Sequence, residues 1–129
     1  MKKDIIQDEL TYKIIGCAMK VHTVLGSGFQ EVIYQRSLEI EFQKQNIEFL
    51  REQQMPIFYE QHQVGIRRVD FFVQKRVLVE LKAVSKLDDV HLAQALNYLE
   101  AFKMKTGLLI NFGGRSLEYQ RLFNKRMRK

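Results

Sequence analysis

Asp70, Glu80 and Lys82 lie in a stretch whose apolar residues alternate with period two. If Gln74-Lys75-Arg76 is a three-residue hairpin loop, Val73 pairs with Val77 and the register runs outward from there. Phe71 then faces Val79 and Val69 faces Leu81, so one face of the hairpin is wholly apolar. On the other face Asp70 stands opposite Glu80 and Arg68 opposite Lys82, with Phe72 and Leu78 closing the loop end. A two-residue loop shifts the pairing by one and mixes charged with core side chains, which a half-buried hairpin resists. Cross-strand neighbours have Cβ atoms roughly 4.5–5.5 Å apart, and like charges so placed are destabilising. Two carboxylates at that spacing share a proton or hold a cation. Oxygen ligands completed by water and a phosphate suit Mg²⁺. Lys82 lies about 7 Å beyond Glu80 on the same face. Its ammonium there can position or deprotonate a water, or stabilise charge on a phosphate. The plainer alternative is a solvated face with a weak Glu80–Lys82 ion pair.

Two further clusters carry polar chemistry at helical spacing. His91, Gln94 and Tyr98 form a stripe beside the apolar stripe of Leu92, Leu96, Leu99 and Phe102. Gln and Tyr are good donors to phosphate oxygens or base edges, and a half-exposed helix flank is the bland alternative. Gly28-x-x-Glu31-x-x-Tyr34 puts Glu31 and Tyr34 on one helix face, one turn apart. There the competing readings are an acid favouring the helix dipole and a tyrosine in the core.

These residues need elements to hold them. From about Ile5 to Leu25, Ile6, Leu10, Ile14, Cys17 or Ala18, Val21 and Leu25 recur at the spacing of an amphipathic helix that Gly26-Ser27-Gly28 ends. A second helix is predicted over about Gln30 to Gln45, with Ile33, Leu38 and Phe42 buried and Asn46 as its left-handed cap. Beyond Asn46 the period falls to two. Ile47 to Gln54 and Ile57 to Glu60 read as strand interrupted by Pro56, at an edge or a bulge, with Gln61-His62-Gln63 as a loop. Strands follow over Val64 to Val73 and Val77 to Lys82. A third helix covers about Leu87 to Lys103, with Ser85 and Asp88 as a rough capping box. Strands over Leu108 to Phe112 and Leu117 to Phe123 complete the order ααβββαββ, an α/β or α+β sandwich with a central mixed sheet flanked by helices. The helix between Lys82 and Leu108 implies a crossover joining parallel strands.

At 129 residues the chain has room for one domain, with a core over about 5–123 and a basic tail over 124–129. Its apolar runs are far shorter than the ~20 residues that span a bilayer. Acidic residues follow the N-terminus at once, leaving no secretory h-region, and the lone Cys17 allows neither an intrachain disulfide nor a cysteine-based zinc site. A reducing cytoplasm is the expected compartment. The net charge of +6 is uneven: residues 1–60 hold seven basic and nine acidic side chains, residues 61–129 fourteen and six. A basic half ending in Lys125-Arg126-Met127-Arg128-Lys129 suits a polyanion such as nucleic acid; a solubilising surface with a frayed tail is the alternative.

Gly28, Glu31 and Tyr34 spell the signature of the small GxxExxY proteins, and the chain resembles compact members of the PD-(D/E)XK nuclease superfamily. The likeness runs from about Leu10 to Phe123 and includes Asp70, Glu80-Leu81-Lys82, Gln94-x-x-x-Tyr98 and the segment Gly107 to Phe112; Val69 stands where the motif's name has proline. It implies a restriction-endonuclease-like fold and a nuclease that hydrolyses phosphodiester bonds in DNA with Mg²⁺ or Mn²⁺. On that likeness Asp70, Glu80, the Leu81 backbone carbonyl and Glu31 would hold the metal, and Lys82 would orient or activate the attacking water. Gln94, Tyr98 and Tyr34 would meet the substrate. The alternatives are a non-catalytic nucleic-acid-binding module and a protein-interaction scaffold that keeps the fold. So short a chain has little surface for base-edge reading, which points to a homodimer where sequence is read.

Overall fold

The computed structural model describes residues 2–127, and side chains from residue 9 to residue 126. The predicted side chain of Ile6 and the last two residues of the basic tail, Arg128 and Lys129, lie outside the described residues. The elements are α1 (Lys2–Leu25), α2 (Glu31–Lys44), β1 (Phe49–Tyr59), β2 (His62–Val73), β3 (Val77–Lys82), α3 (Asp89–Ala101), β4 (Thr106–Asn111) and β5 (Glu118–Phe123). The strands form one mixed sheet in sequential order, antiparallel except for the parallel pair β3–β4. This is the predicted α+β arrangement, consistent with a restriction-endonuclease-like fold.

Each face of the sheet buries its own apolar cluster. Leu10, Ile14, Ala18 and Val21 of α1 and Tyr34, Leu38 and Phe42 of α2 close over Phe71, Val73, Val79, Leu81, Leu108 and Ile110. On the opposite face Ala95 and Leu99 of α3 pack with Val69, Leu78, Leu109 and Leu122. Alternating side chains of β3 and β4 feed both clusters, so the two strands are buried on both sides, as parallel strands under helices must be. Cys17 is buried in the first cluster, where desolvation and then the Glu41 charge push its thiol up, away from reactivity.

Several local expectations are revised. Ile33 is 38 % exposed; Tyr34, Gln35 and Glu41 take the buried positions of α2 with Leu38 and Phe42. Asn46 adopts the left-handed conformation (φ 56°) expected of the cap. Pro56 does not divide the first strand: β1 runs through it at the sheet edge, and the bulge falls between Ile57 and Phe58. The cap of α3 is Asp88 with His91, not Ser85 with Asp88: the Asp88 carboxylate accepts from His91 N–H, and His91 Nδ1 accepts from Asp88 N–H. Nor does the basic segment begin as a frayed tail. Asn124 is buried, donates to the Leu99 carbonyl at the end of α3 and accepts from Arg126 N–H, and a 3₁₀ turn spans Lys125–Met127.

The connection from β3 to α3 is tied down by one side chain. Asn111, fully buried at the end of β4, accepts from Val84 N–H and Gly113 N–H and donates to the Val84 carbonyl and to Glu118 Oε1. Glu118 Oε1 also accepts from Leu87 N–H, so the entry to α3 is held to β5. This crossing is tight enough to require glycine. A Cβ on Gly113 would run into the Val84 backbone and lie 2.6 Å from the Ala83 carbonyl carbon. Gly113→Ala is expected to destabilise the fold by about 1–3 kcal/mol through backbone displacement, read as a lower urea midpoint; an unchanged midpoint would show that the crossing relaxes freely.

Candidate active site

The β2–β3 hairpin has the predicted register at its loop end: Val73 pairs with Val77, Phe72 with Leu78 and Phe71 with Val79. There the ladder stops. Asp70 and Glu80 do not continue it with backbone bonds; each acid instead receives an amide from the opposite strand. Leu81 N–H donates to Asp70 Oδ2 at 2.8 Å, and Asp70 N–H donates to Glu80 Oε2 at 3.3 Å. Carboxylates therefore replace carbonyls where the strands part.

The departure reorients β2. Val69 packs in the cluster under α3 whereas Phe71 packs under α1 and α2, so the strand changes face at Asp70. The facing residue of β1 takes part: Arg51 pairs with Phe71 and Gln53 with Val69, while Glu52 between them is unpaired, with a left-handed φ of 54°. The expected wholly apolar face, with Val69 opposite Leu81, is thereby overturned. So is Arg68 opposite Lys82: Arg68 is exposed, and Arg67 turns to the acids instead.

Arg67 and Gln35 are the residues that strand alternation did not reveal. Arg67 Nε and Nη2 donate to Glu80 Oε1 at 3.3 and 3.1 Å, and its guanidinium carbon lies 4.8 Å from the centre of the Tyr98 ring. Gln35 Nε2 donates to Asp70 Oδ1 at 2.8 Å, while Arg51 Nη1 donates to Gln35 Oε1 at 3.0 Å and so fixes which way the amide points. Gln35 stands one turn after Glu31, a spacing that places both on one side of α2. Its burial and its bond to Asp70 are set by packing, and no local pattern in the sequence signals them.

Burial sets the charge state. Glu80 is 4 % exposed. Desolvation first, then the hydrogen bond and charge of Asp70, raise its carboxyl from 4.5 to about 8, against the lowering pull of Arg67. Arg67, Glu80, Lys82, His91, Gln94, Ala95, Tyr98 and Leu109 line a shallow recess between the sheet and α3. The half-buried side chain of Lys82 makes no hydrogen bond or ion pair with any described residue, which leaves its ammonium uncommitted. Gln94 and Tyr98 line this recess with Glu80 and Lys82.

Glu31 and Tyr34 part company. Glu31 stays exposed at the start of α2; desolvation raises its carboxyl, Lys82 opposes this and Asp70 adds to it, so it lies within the field of the recess. Among the described residues no three His, Cys, Asp or Glu side chains gather as a ready-made metal cluster. Tyr34 is fully buried, stacked on Phe112 at 4.6 Å, and its hydroxyl donates to the Gly26 carbonyl and accepts from Phe29 N–H. That hydroxyl closes the α1–α2 turn and is not available to a substrate.

A family model described as the PD-(D/E)XK nuclease superfamily matches residues 8–122. The chain belongs to that superfamily. No curated protein and no solved structure matches it. PD-(D/E)XK nucleases are generally divalent-metal dependent. No helix among the described residues of this PD-(D/E)XK protein is long and apolar enough to cross a membrane.

The raised Glu80 makes stability pH-dependent with a defined sign. Between its ordinary 4.5 and about 8 the folded chain holds a proton that the unfolded chain has released, so stability falls as pH rises through that window. In chelator, urea unfolding followed by circular dichroism is expected to show a loss of up to a few kcal/mol from about pH 4.5 to about 8. Glu80→Gln should flatten the slope; stability rising across the window in the parent protein would contradict the assignment.

Proposed function

We propose that this protein is a divalent-metal-dependent nuclease that hydrolyses phosphodiester bonds in DNA, a single domain over residues 1–129. The observation that carries the proposal is the Asp70–Glu80 pair at the end of the hairpin ladder, with Lys82 sharing a recess with Glu80. A buried acid raised to about 8 by desolvation and an acidic neighbour is a site that a hard dication relieves. The donor set fits: Asp70, Glu80 and the Leu81 backbone carbonyl would hold Mg²⁺ or Mn²⁺. Bound there, the ion would polarise a phosphoryl oxygen and lower the pKa of a water.

The remaining roles belong to the chain itself. Lys82, lining the recess, orients the attacking water and stabilises charge on the phosphate. Gln94, exposed on α3, and the Tyr98 hydroxyl present donors to the substrate backbone. Glu31, close enough to feel the charges of Lys82 and Asp70, adds a carboxylate that touches the ion or its waters. Gln35, oriented by Arg51, keeps Asp70 turned toward Leu81. The excess of basic residues after residue 60 draws the polyanion. The Gly28, Glu31, Tyr34 signature supports a place among the GxxExxY proteins, with Tyr34 serving the turn rather than the substrate.

The test is cleavage of linear, nicked, branched and single-stranded DNA by purified protein in Mg²⁺ or Mn²⁺. Asp70→Ala and Lys82→Ala are each expected to lower the rate by at least ~10²-fold with the circular dichroism spectrum retained. Tyr34→Phe should instead cost about 0.5–1.5 kcal/mol of stability and leave KM unchanged. Absence of cleavage on every substrate, together with absence of divalent binding by calorimetry, would overturn the proposal.

A further inference from the structure

The acid pair already has a cation, and it is not the motif lysine. Arg67 places both Nε–H and Nη2–H on one oxygen of Glu80, Oε1, while Oε2 takes the Asp70 amide. The Arg67 side chain is 34 % exposed and that of Glu80 only 5 %. A buried acid beside a second acid is thus met by a guanidinium that reaches in from the surface. On its other side that guanidinium rests against the Tyr98 ring, itself stacked on Phe102 at 6.1 Å. Arg68, the next residue, is exposed and makes no contact with Glu80 that could substitute.

We propose that Arg67 is a positioning residue that occupies Glu80 Oε1 as a resident cation and yields that oxygen to an incoming divalent ion. The inference rests on the reading of Asp70 and Glu80 as a cation site. A guanidinium and a dication cannot share one carboxylate oxygen without close like-charge repulsion. Arginine does not lose its proton in proteins, so it vacates the oxygen by rotation and carries its charge away. The Tyr98 face already flanks the guanidinium and offers it a partner that needs no carboxylate. Until then Arg67 holds Glu80 Oε1 through two of its donors.

Competition of this kind has a signature that a purely structural arginine lacks. Mn²⁺ is titrated calorimetrically into the parent protein, Arg67→Gln and Arg67→Lys at one pH, without nucleic acid, and thermal melting is followed with and without Mn²⁺. Arg67→Gln is expected to melt lower in chelator, to bind Mn²⁺ on the order of five-fold more tightly, and to gain more from the ion on melting. Arg67→Lys, which keeps the charge and loses the fork, should fall between the two and serves if Arg67→Gln does not fold. Unchanged or weaker Mn²⁺ binding in the folded variants would overturn the proposal and leave Arg67 a buttress. Lack of Mn²⁺ binding in all three proteins would overturn it as well. Tighter binding by the variants in a protein that cleaves no DNA would uphold it and remove only the nuclease reading.

Discussion

The site depends on a reciprocal exchange at the end of a β ladder. Where β2 and β3 would next bond through their backbones, Asp70 takes the amide of Leu81 and Glu80 takes the amide of Asp70. Two amides that parting strands would otherwise strand in a partly buried setting are satisfied by side chains. That solution brings two acids together, and their mutual repulsion in a desolvated place must be balanced by a proton or a cation. The change of face in β2, the turning-in of Arg67 and the Gln35 contact all occur around this one break.

The rest of the fold holds the break from two sides. Beneath it, the α1–α2 layer is rigid and apolar, and the Tyr34–Phe112 stack with the Tyr34 hydroxyl on Gly26 fixes how α2 enters. That entry sets where Glu31 and Gln35 stand. Above it, Asn111, Gly113 and Glu118 clamp the segment between Lys82 and α3, so the recess is built from a strand and a helix with little freedom between them. A site made of groups from β2, β3 and α3 gains preorganisation when the connection between them is bonded through Val84 and Leu87.

Much of this was legible. The loop Gln74-Lys75-Arg76 fixed a register that the structure repeats for three pairs, because an apolar face tolerates no one-residue slip. The parallel pairing of β3 with β4 followed from a helix lying between them. Illegible was the face change at Asp70. Strict alternation assigns Val69 to the face of Phe71 and Arg68 to that of Lys82, and only a strand that breaks step puts Val69 and Arg67 under α3. Tyr34 shows the same limit from the other side: a phenol one turn from an acid reads as a site pair, yet helix rotation buried it beneath Phe112.

What the residues determined alone was the inventory and its order: the acids, the lysine and the polar stripe of α3, each on an element that periodicity identifies. These follow from local rules, namely hydrophobic period, turn length and capping, that act within a few residues of one another. Tertiary structure decided which charges meet. Whether Arg67 or Arg68 faces Glu80, whether Glu31 or Gln35 reaches Asp70, and whether a tyrosine sees solvent turn on strand departures and helix rotations. Those are set by packing between segments far apart in the chain, and no local pattern encodes them.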